Sequence, residues 1–447
     1  MPLTLTDLFC GAGGSSTGAI EIPGVQVRIA SNHWDLAVET HNTNHPDADH
    51  LCADLSQIDP RYFPRTDILW ASPECTNHSV AKGRKRPDAQ PDLFEEILPD
   101  AAAERSRATM WDVPRFAEVH RYQAVIVENV VDAWNWEPFR AWLMAMDCLG
   151  YDHKMVFLNS MHAQTFGDGA PQSRDRMYVV FWRKGNKAPD LNRVTSPNAV
   201  CPTCGPVRAR QTFKRPDREW GRYRAQYVYR CPNVACRFSV VEPSFRPAAE
   251  IIDWDLLGQR IGDRTKPLAD KTMARIRAGV DRYWGSLLIP VEGRDGKQAA
   301  PVGVPARTMT TRNETGVAFI AELRGGGSKH RPVSEPLATV TASGNHHGLV
   351  TTYYGNGGTK PADDALSTVT ATERHGLMTH TETAFDINDV LFRMLEPREI
   401  KGAMDFPDSY TILGNRREQV RMSGNAVTPP AARDLVGVVA ESLGVVA

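Results

Sequence analysis

Short apolar runs recur along the N-terminal half, each cut off by polar or glycine-rich residues. Leu5 to Phe9 stops at Cys10-Gly11-Ala12-Gly13-Gly14; Val25 to Ala30, Ile68 to Ala71, Ala124 to Glu128, Met155 to Leu158 and Met177 to Trp182 follow. Runs this short and this apolar predict buried strands. The intervals are long enough for helices, and one of them, Asp35 to His45, has helix-compatible residues and stops before Pro46. Repeated strand–helix alternation predicts an α/β fold with a doubly wound, mainly parallel sheet. In such a sheet the working residues sit just past the carboxyl ends of the strands.

The unusual residues fall at those ends. The first strand runs into the glycine cluster, the run at Ile68 into Ser72-Pro73-Glu74-Cys75, and the run at Ala124 into Glu128-Asn129-Val130. Glycines after a first strand let the backbone approach a nucleotide-like ligand, or simply make a tight turn. A dinucleotide fingerprint would place a third glycine at position 16, where the chain has Ser16.

A chain of 447 residues implies two to three domains, or one large domain with an insert. Lys+Arg number 52 against 53 Asp+Glu, a net charge of -1, which excludes holding a polyanion by bulk charge; any nucleic-acid contact needs a local basic surface. No apolar run approaches the ~18 residues that cross a bilayer, and the N-terminus lacks the basic stretch of a signal peptide. An intracellular protein is expected, with no membrane contact, its cysteines acting as thiols, metal ligands or nucleophiles.

Four cysteines cluster in the middle of the chain. Cys201 and Cys204, then Cys231 and Cys236, give two close pairs separated by a loop, a spacing that suits a tetrahedral structural zinc in a zinc-ribbon-like insert; two pairs of reduced thiols is the plainer alternative. Nine Lys/Arg against two acids lie between Cys201 and Phe238, a basic patch expected to face nucleic acid. Farther on, Pro305-Ala-Arg-Thr-Met-Thr-Thr311, Pro336-Leu-Ala-Thr-Val-Thr-Ala342 and Ala365-Leu-Ser-Thr-Val-Thr-Ala371 form an internal repeat rich in β-branched residues, read as short strands of a β-rich domain. His41 and His45 are spaced i, i+4, but no Glu follows His41, so a zinc-protease helix is not supported.

Taken together, Asp7-Leu8-Phe9-Cys10-Gly11-Ala12-Gly13-Gly14, Ser72-Pro73-Glu74-Cys75, Glu128-Asn129-Val130, Gln172-Ser173-Arg174-Asp175-Arg176 and Gly424-Asn425-Ala426-Val427 resemble, in order, blocks of the cytosine-C5 DNA methyltransferases. The family usually has Pro-Pro-Cys-Gln where this chain has Pro73-Glu74-Cys75-Thr76, and a glutamate where this chain has His33. The resemblance implies a Rossmann-like catalytic domain over residues 1–190, a target-recognition region over 191–385 (the zinc-ribbon-like insert at 201–236, β-rich repeats at 300–380), and a return of 386–447 to the catalytic domain. It also implies S-adenosylmethionine as cofactor, held by Phe9, Gly11, Gly13, Gly14, Pro73, Asn425 and Val427, with Trp34 stacked on adenine and Asp54 accepting from its amino group. The implied partner is double-stranded DNA, beside a cognate restriction enzyme. The implied state is a monomer, cytoplasmic and nucleoid-associated in a bacterial or phage-infected cell.

The chemistry fits those residues. C5 of cytosine is too weak a nucleophile to take a methyl group directly, and addition of a thiolate at C6 turns the ring into an enamine. A free thiol with a pKa of about 8.5 is only slightly ionised at pH 7, so the site must favour the thiolate; Cys75 is the candidate. Addition pushes electrons toward N3 and O2, where the Glu128 carboxyl can share a proton. Arg174 and Arg176 alternate and are expected to point the same way, toward O2 and a nearby phosphate. A duplex cytosine reaches such a site only when flipped out, and Lys82, Arg84, Lys85 and Arg86 after Cys75 are placed to clamp phosphates. Three rivals stand beside this reading: the same chemistry on tRNA, a nicotinamide oxidoreductase using the glycine turn, and a catalytically silent DNA-binding relative.

Overall fold

The computed structural model describes residues 2–73, 101–256, 258–283, 287–291, 296–312, 314–319, 351–352, 375–376 and 387–445. The N-terminal part runs β1 (Leu3–Leu8), α1 (Gly14–Ile20), β2 (Val25–Asn32), α2 (Asp35–Asn44), β3 (Asp49–Cys52), β4 (Ile68–Ala71), α3 (Ala101–His120), β5 (Ala124–Asn129), α4 (Phe139–Cys148), β6 (Tyr151–Asn159), β7 (Gln172–Ser173) and β8 (Asp175–Arg183). The middle holds α5 (Leu191–Val194), β9 (Asn198–Cys201), β10 (Gly205–Arg208), β11 (Arg210–Phe213), β12 (Tyr227–Arg230), β13 (Gln259–Arg260), α6 (Asp270–Tyr283), β14 (Leu287–Pro290), β15 (Ala300–Pro301), β16 (Ala306–Arg307), β17 (Thr315–Phe319), β18 (Thr351–Thr352) and β19 (His375–Gly376). The chain ends with β20 (Leu391–Met394), α7 (Pro397–Ala403), α8 (Arg416–Asn425) and α9 (Pro429–Ser442). No described helix is long and apolar enough to cross a membrane.

Seven strands form a twisted sheet in the order β3-β2-β1-β4-β5-β8-β6. The first five run parallel, and β8 inserts antiparallel between β5 and β6. This is a mixed α/β, Rossmann-like sheet, and its order reverses at β1, between β2 and β4. Because side chains alternate along a strand, each strand feeds two cores. Val125 and Val127 join Phe116, Trp142 and Met146 on one face, while Ala124 and Ile126 join Leu435 and Val439 on the other.

Helix α9 begins at Pro429, whose fixed φ suits a first helical position. Nearly all of it is buried, and it lies along α1. A β-carbon on Gly18 of α1 would stand 2.1 Å from Pro429 O, so the two helices touch at backbone distance.

The insert between β8 and β13 folds as two small ladders, β9–β10 and β11–β12. They share a hydrophobic core with the main sheet: Tyr223 and Tyr229 stand edge-on to His162, centroids 4.6 and 5.0 Å away. A second, antiparallel sheet follows in the order β13-β20-β17-β14-β15. The first repeat copy contributes β16, which pairs with β7; the copies at 336–342 and 365–371 lie outside the described residues.

Candidate active site

The loop after β1 is built from unusual backbone. Phe9 sits at φ 60, with Gly11 at 53 and Gly13 at 83. A non-glycine residue held in the left-handed region is strained, and such strain gathers at functional sites. The glycines serve different ends. A β-carbon on Gly11 would meet nothing nearer than Phe9 O at 4.0 Å, so this edge of the loop is open. One on Gly13 would press on the Tyr410 hydroxyl at 2.5 Å, and one on Gly14 would fall 1.9 Å from Val427 O. Gly13 and Gly14 therefore let the C-terminal segment close against the loop. Val427 is buried there, and Asn425, the last residue of α8, is exposed.

Trp34 follows β2 as the N-cap of α2. It is half-buried, its backbone N–H donates to Asn32 Oδ1 at 3.0 Å, and the Arg421 guanidinium lies 4.7 Å from its ring centroid. Asp54, just past β3, is exposed; its carboxylate accepts from Ser56 N and Gln57 Nε2.

Glu128 and Arg176 form an ion pair, Nε to Oε1 at 2.8 Å, with side chains only 12% and 15% exposed. Register brings them together: Asn129 of β5 faces Met177 of β8, so Arg176 lies beside the end of β5. Pro73, past β4, is buried and its carbonyl accepts from Asn129 Nδ2 at 3.3 Å. The ends of β4, β5 and β8 thus meet around Glu128. Cys75 lies outside the described residues, as do Glu74, Lys82, Arg84, Lys85 and Arg86.

Arg174 is placed otherwise than expected. It sits between β7 and β8, where strand alternation does not govern its direction, and it is 3% exposed. Its guanidinium donates to Met309 O at 3.0 Å and to Gly424 O and Ala426 O at 3.1 Å. It ties the first repeat copy and the Gly424–Val427 segment to the β7–β8 junction, whereas Arg176 turns to Glu128.

A buried polar chain beneath the glycine loop escaped the sequence reading. Ser15 and Ser16 donate to Asp7 Oδ2 at 2.6 and 2.7 Å, while Asp7 Oδ1, also buried, finds no partner among the described residues. Burial pushes the Asp7 carboxyl up to about 6, against the serine hydrogen bonds. His41 Nε2 meets Ser16 Oγ at 2.9 Å, and His41 Nδ1 meets His50 Nε2 at 2.8 Å. Since the Ser16 hydroxyl donates to Asp7, His41 donates from Nε2 and accepts at Nδ1 from His50. Burial drives His41 well below the usual imidazole range and His45 down to about 4. Ser16, standing where a dinucleotide fingerprint has glycine, is the link between Asp7 and His41.

The four thiols of the insert converge. Sγ atoms of Cys201, Cys204, Cys231 and Cys236 all lie within 4.8 Å of one another, and a tetrahedral metal at about 2.3 Å from each would set them about 3.8 Å apart. Cys201 ends β9 and Cys231 follows β12, so two ladders deliver the pairs. The basic patch is partly engaged within the protein: Arg222 pairs with Asp132, Arg224 with Glu242 and Arg215 with Asp217.

A family model described as C-5 cytosine-specific DNA methylase matches residues 3–203 and 304–441, leaving most of the cysteine insert outside the match. Among curated relatives, the type II methyltransferase M.SsoII of Shigella sonnei is 27% identical over 182 residues, 40% of this chain and 42% of that one. M.AgeI of Thalassovita gelatinovora is 26% identical over 192 residues, 40% of each. The chain thus spans about two-fifths of the length of these relatives. Among solved structures, a Spodoptera frugiperda DNMT2 variant matches at TM-score 0.50 and 15% identity, covering 98% of this chain and 99% of that one. The S. pombe Dnmt2 methyltransferase matches at 0.50 and 14%, covering 99% and 100%. These likenesses show a shared fold.

Proposed function

Because this chain belongs to the C-5 cytosine-specific DNA methylases, we propose that it transfers a methyl group from S-adenosylmethionine to C5 of a flipped-out cytosine in duplex DNA. The observation that carries the proposal is the shielded Glu128–Arg176 pair, set where the chain leaves β4 toward Cys75.

S-adenosylmethionine fits the strand ends, since the loop at Gly11 leaves room that a β-carbon would otherwise take. Phe9, Gly11, Gly13, Gly14 and Pro73 would line the cofactor, Trp34 would stack on its adenine, Asp54 would accept from the amino group, and Asn425 and Val427 would close the far side. When bound, it supplies an electrophilic methyl group on a sulfonium. Cys75 would add as thiolate to C6, and Glu128 would share a proton with N3 as charge builds there. Arg176 would hold Glu128 and face O2. Arg174, buried on three carbonyls, would brace the floor of the site. After transfer a water molecule would take the C5 proton as the Cys75–C6 bond breaks, sulfur leaving as thiolate and the aromatic ring being restored. Flipping the base costs a few kcal/mol, which phosphate contacts from Lys82, Arg84, Lys85 and Arg86 would offset.

The four thiols suit one structural zinc, held by Cys201, Cys204, Cys231 and Cys236; metal content near one per chain after mild purification supports this, and metal-free folded protein refutes it. A restriction enzyme reading the same DNA site is the proposed companion, and the working unit a monomer. Bisulfite sequencing of DNA from an expressing cell tests activity and site together. Methylated cytosines in one sequence context are expected; unmodified DNA together with label transfer to tRNA would redirect the reading.

A further inference from the structure

Three residues of one short stretch of the cysteine insert, Trp220, Arg222 and Tyr223, reach both segments that carry the Glu128–Arg176 pair. Trp220 Nε1 donates to Val131 O at 3.1 Å, and Arg222 Nη2 pairs with Asp132 Oδ2 at 2.7 Å. Both acceptors lie just after Glu128 on the chain. The Tyr223 N–H donates to Asp175 Oδ1 at 2.9 Å, and the carbonyl of that same Asp175 accepts from Arg176 Nη1 at 2.9 Å. The contacts therefore straddle the pair, two on the glutamate side and one on the arginine side.

The segment making them is itself fixed. Gly221 has φ 133, and a β-carbon there would fall 2.2 Å from Gln226 Cβ. The Gln226 amide oxygen accepts from Arg222 N at 2.8 Å. Tyr223 is 9% exposed in the shared core, and from Tyr227 the chain runs through β12 into Cys231. Trp220 to Tyr223, lying between the two cysteine pairs, thus hold the segment that follows Glu128 and the start of the strand that carries Arg176.

We propose that the Trp220–Tyr223 segment is a positioning element, which fixes the geometry of the Glu128–Arg176 pair for the step at the target base. This rests on the function proposed above. An arginine side chain has many rotamers, and a small misplacement of a catalytic pair costs rate far more than binding. On this account Arg222 acts through Asp132 and not on a DNA phosphate, although it belongs to the basic patch.

The test compares the full chain with Arg222→Gln, Arg222→Lys and Asp132→Asn. The control is Arg28→Gln, which removes the exposed Arg28–Asp49 pair elsewhere on the sheet. Two readouts are taken: methyl transfer from labelled S-adenosylmethionine to unmethylated genomic duplex DNA, and amide hydrogen exchange over residues 124–136 and 172–183. Arg222→Gln and Asp132→Asn are each expected to lower kcat about tenfold with KM for DNA nearly unchanged, and to speed exchange in both segments; Arg222→Lys recovers part of the loss, and Arg28→Gln does neither. A raised KM with intact kcat, or unchanged exchange in both segments, overturns the proposal. If the unaltered chain transfers no methyl group to DNA, the proposed function fails, and the exchange comparison alone decides whether the insert positions the pair. Should Arg222→Gln not fold, Asp132→Asn carries the same comparison.

Discussion

The carbonyl oxygen of Val427 stands 1.9 Å from the position a β-carbon of Gly14 would take. The two residues come from opposite ends of the chain, and their contact seats the last helix against the loop that ends β1. Gly14→Ala must push this backbone away, because the two nearest atoms, the carbonyl oxygen and carbon of Val427, are main chain and cannot swing aside. A loss of about 2 kcal/mol is expected, read as a lower urea midpoint, together with weaker S-adenosylmethionine binding by calorimetry. An unchanged midpoint would show that the C-terminal segment is not seated there.

Arg174 and Arg176, separated only by Asp175, are expected to fail in different ways. Arg174→Met strips a charged donor from three buried carbonyls and should cost about 3 kcal/mol of stability. Arg176→Lys keeps the charge but loses the guanidinium geometry, so it should lower kcat about a hundredfold with little change in the unfolding curve. Denaturation and single-turnover rates on both variants separate the roles; two variants with the same profile would contradict the division.

His45 should make stability acid-sensitive. Burial lowers its pKa from 6.5 to about 4, so between those values the unfolded chain binds a proton that the native state refuses. By linkage its contribution is whole above pH 6.5 and falls as pH drops toward 4. Burial lowers His41 and His50 as well, whereas Asp7, raised to about 6, works in the opposite direction as pH falls below that value. The comparison that isolates His45 is therefore with His45→Gln. From pH 6.5 to 5 the unaltered chain should lose on the order of 1–2 kcal/mol more than the variant, measured by urea melts at each pH. Parallel losses would remove His45 from the account.

The strands that carry the site were legible because each is a short apolar run ending in residues no core would choose. β4 matches its run to the residue, and β5 extends its run by one, Asn129. β3 was not legible: Asp49-His-Leu-Cys52 lies at a sheet edge with its outer residues exposed, so little apolar pattern marks it. β6 begins four residues before Met155, a start that the apolar pattern does not mark because Asp152 and Lys154 are exposed and His153 is only partly covered. The antiparallel course of β8 depends on the path between β6 and β8, which periodicity does not report. Arg174 misled the alternation argument because it precedes the strand in which Arg176 sits. The Asp7–Ser16–His41–His50 chain joins β1, α1, α2 and β3, and the spacing of His41 and His45 hints only at a shared helix face.

The central claim is that Cys75 bonds covalently to the target base while Glu128 serves the ring nitrogen. Incubating the chain with S-adenosylmethionine and duplex DNA carrying 5-fluorocytosine tests it most directly, since fluorine at C5 blocks the proton loss that would release the thiol. A protein–DNA adduct stable to denaturing electrophoresis is expected, absent in Cys75→Ala and greatly slowed in Glu128→Gln. An adduct of undiminished yield in Cys75→Ala, or methylated DNA from that variant, would contradict the account.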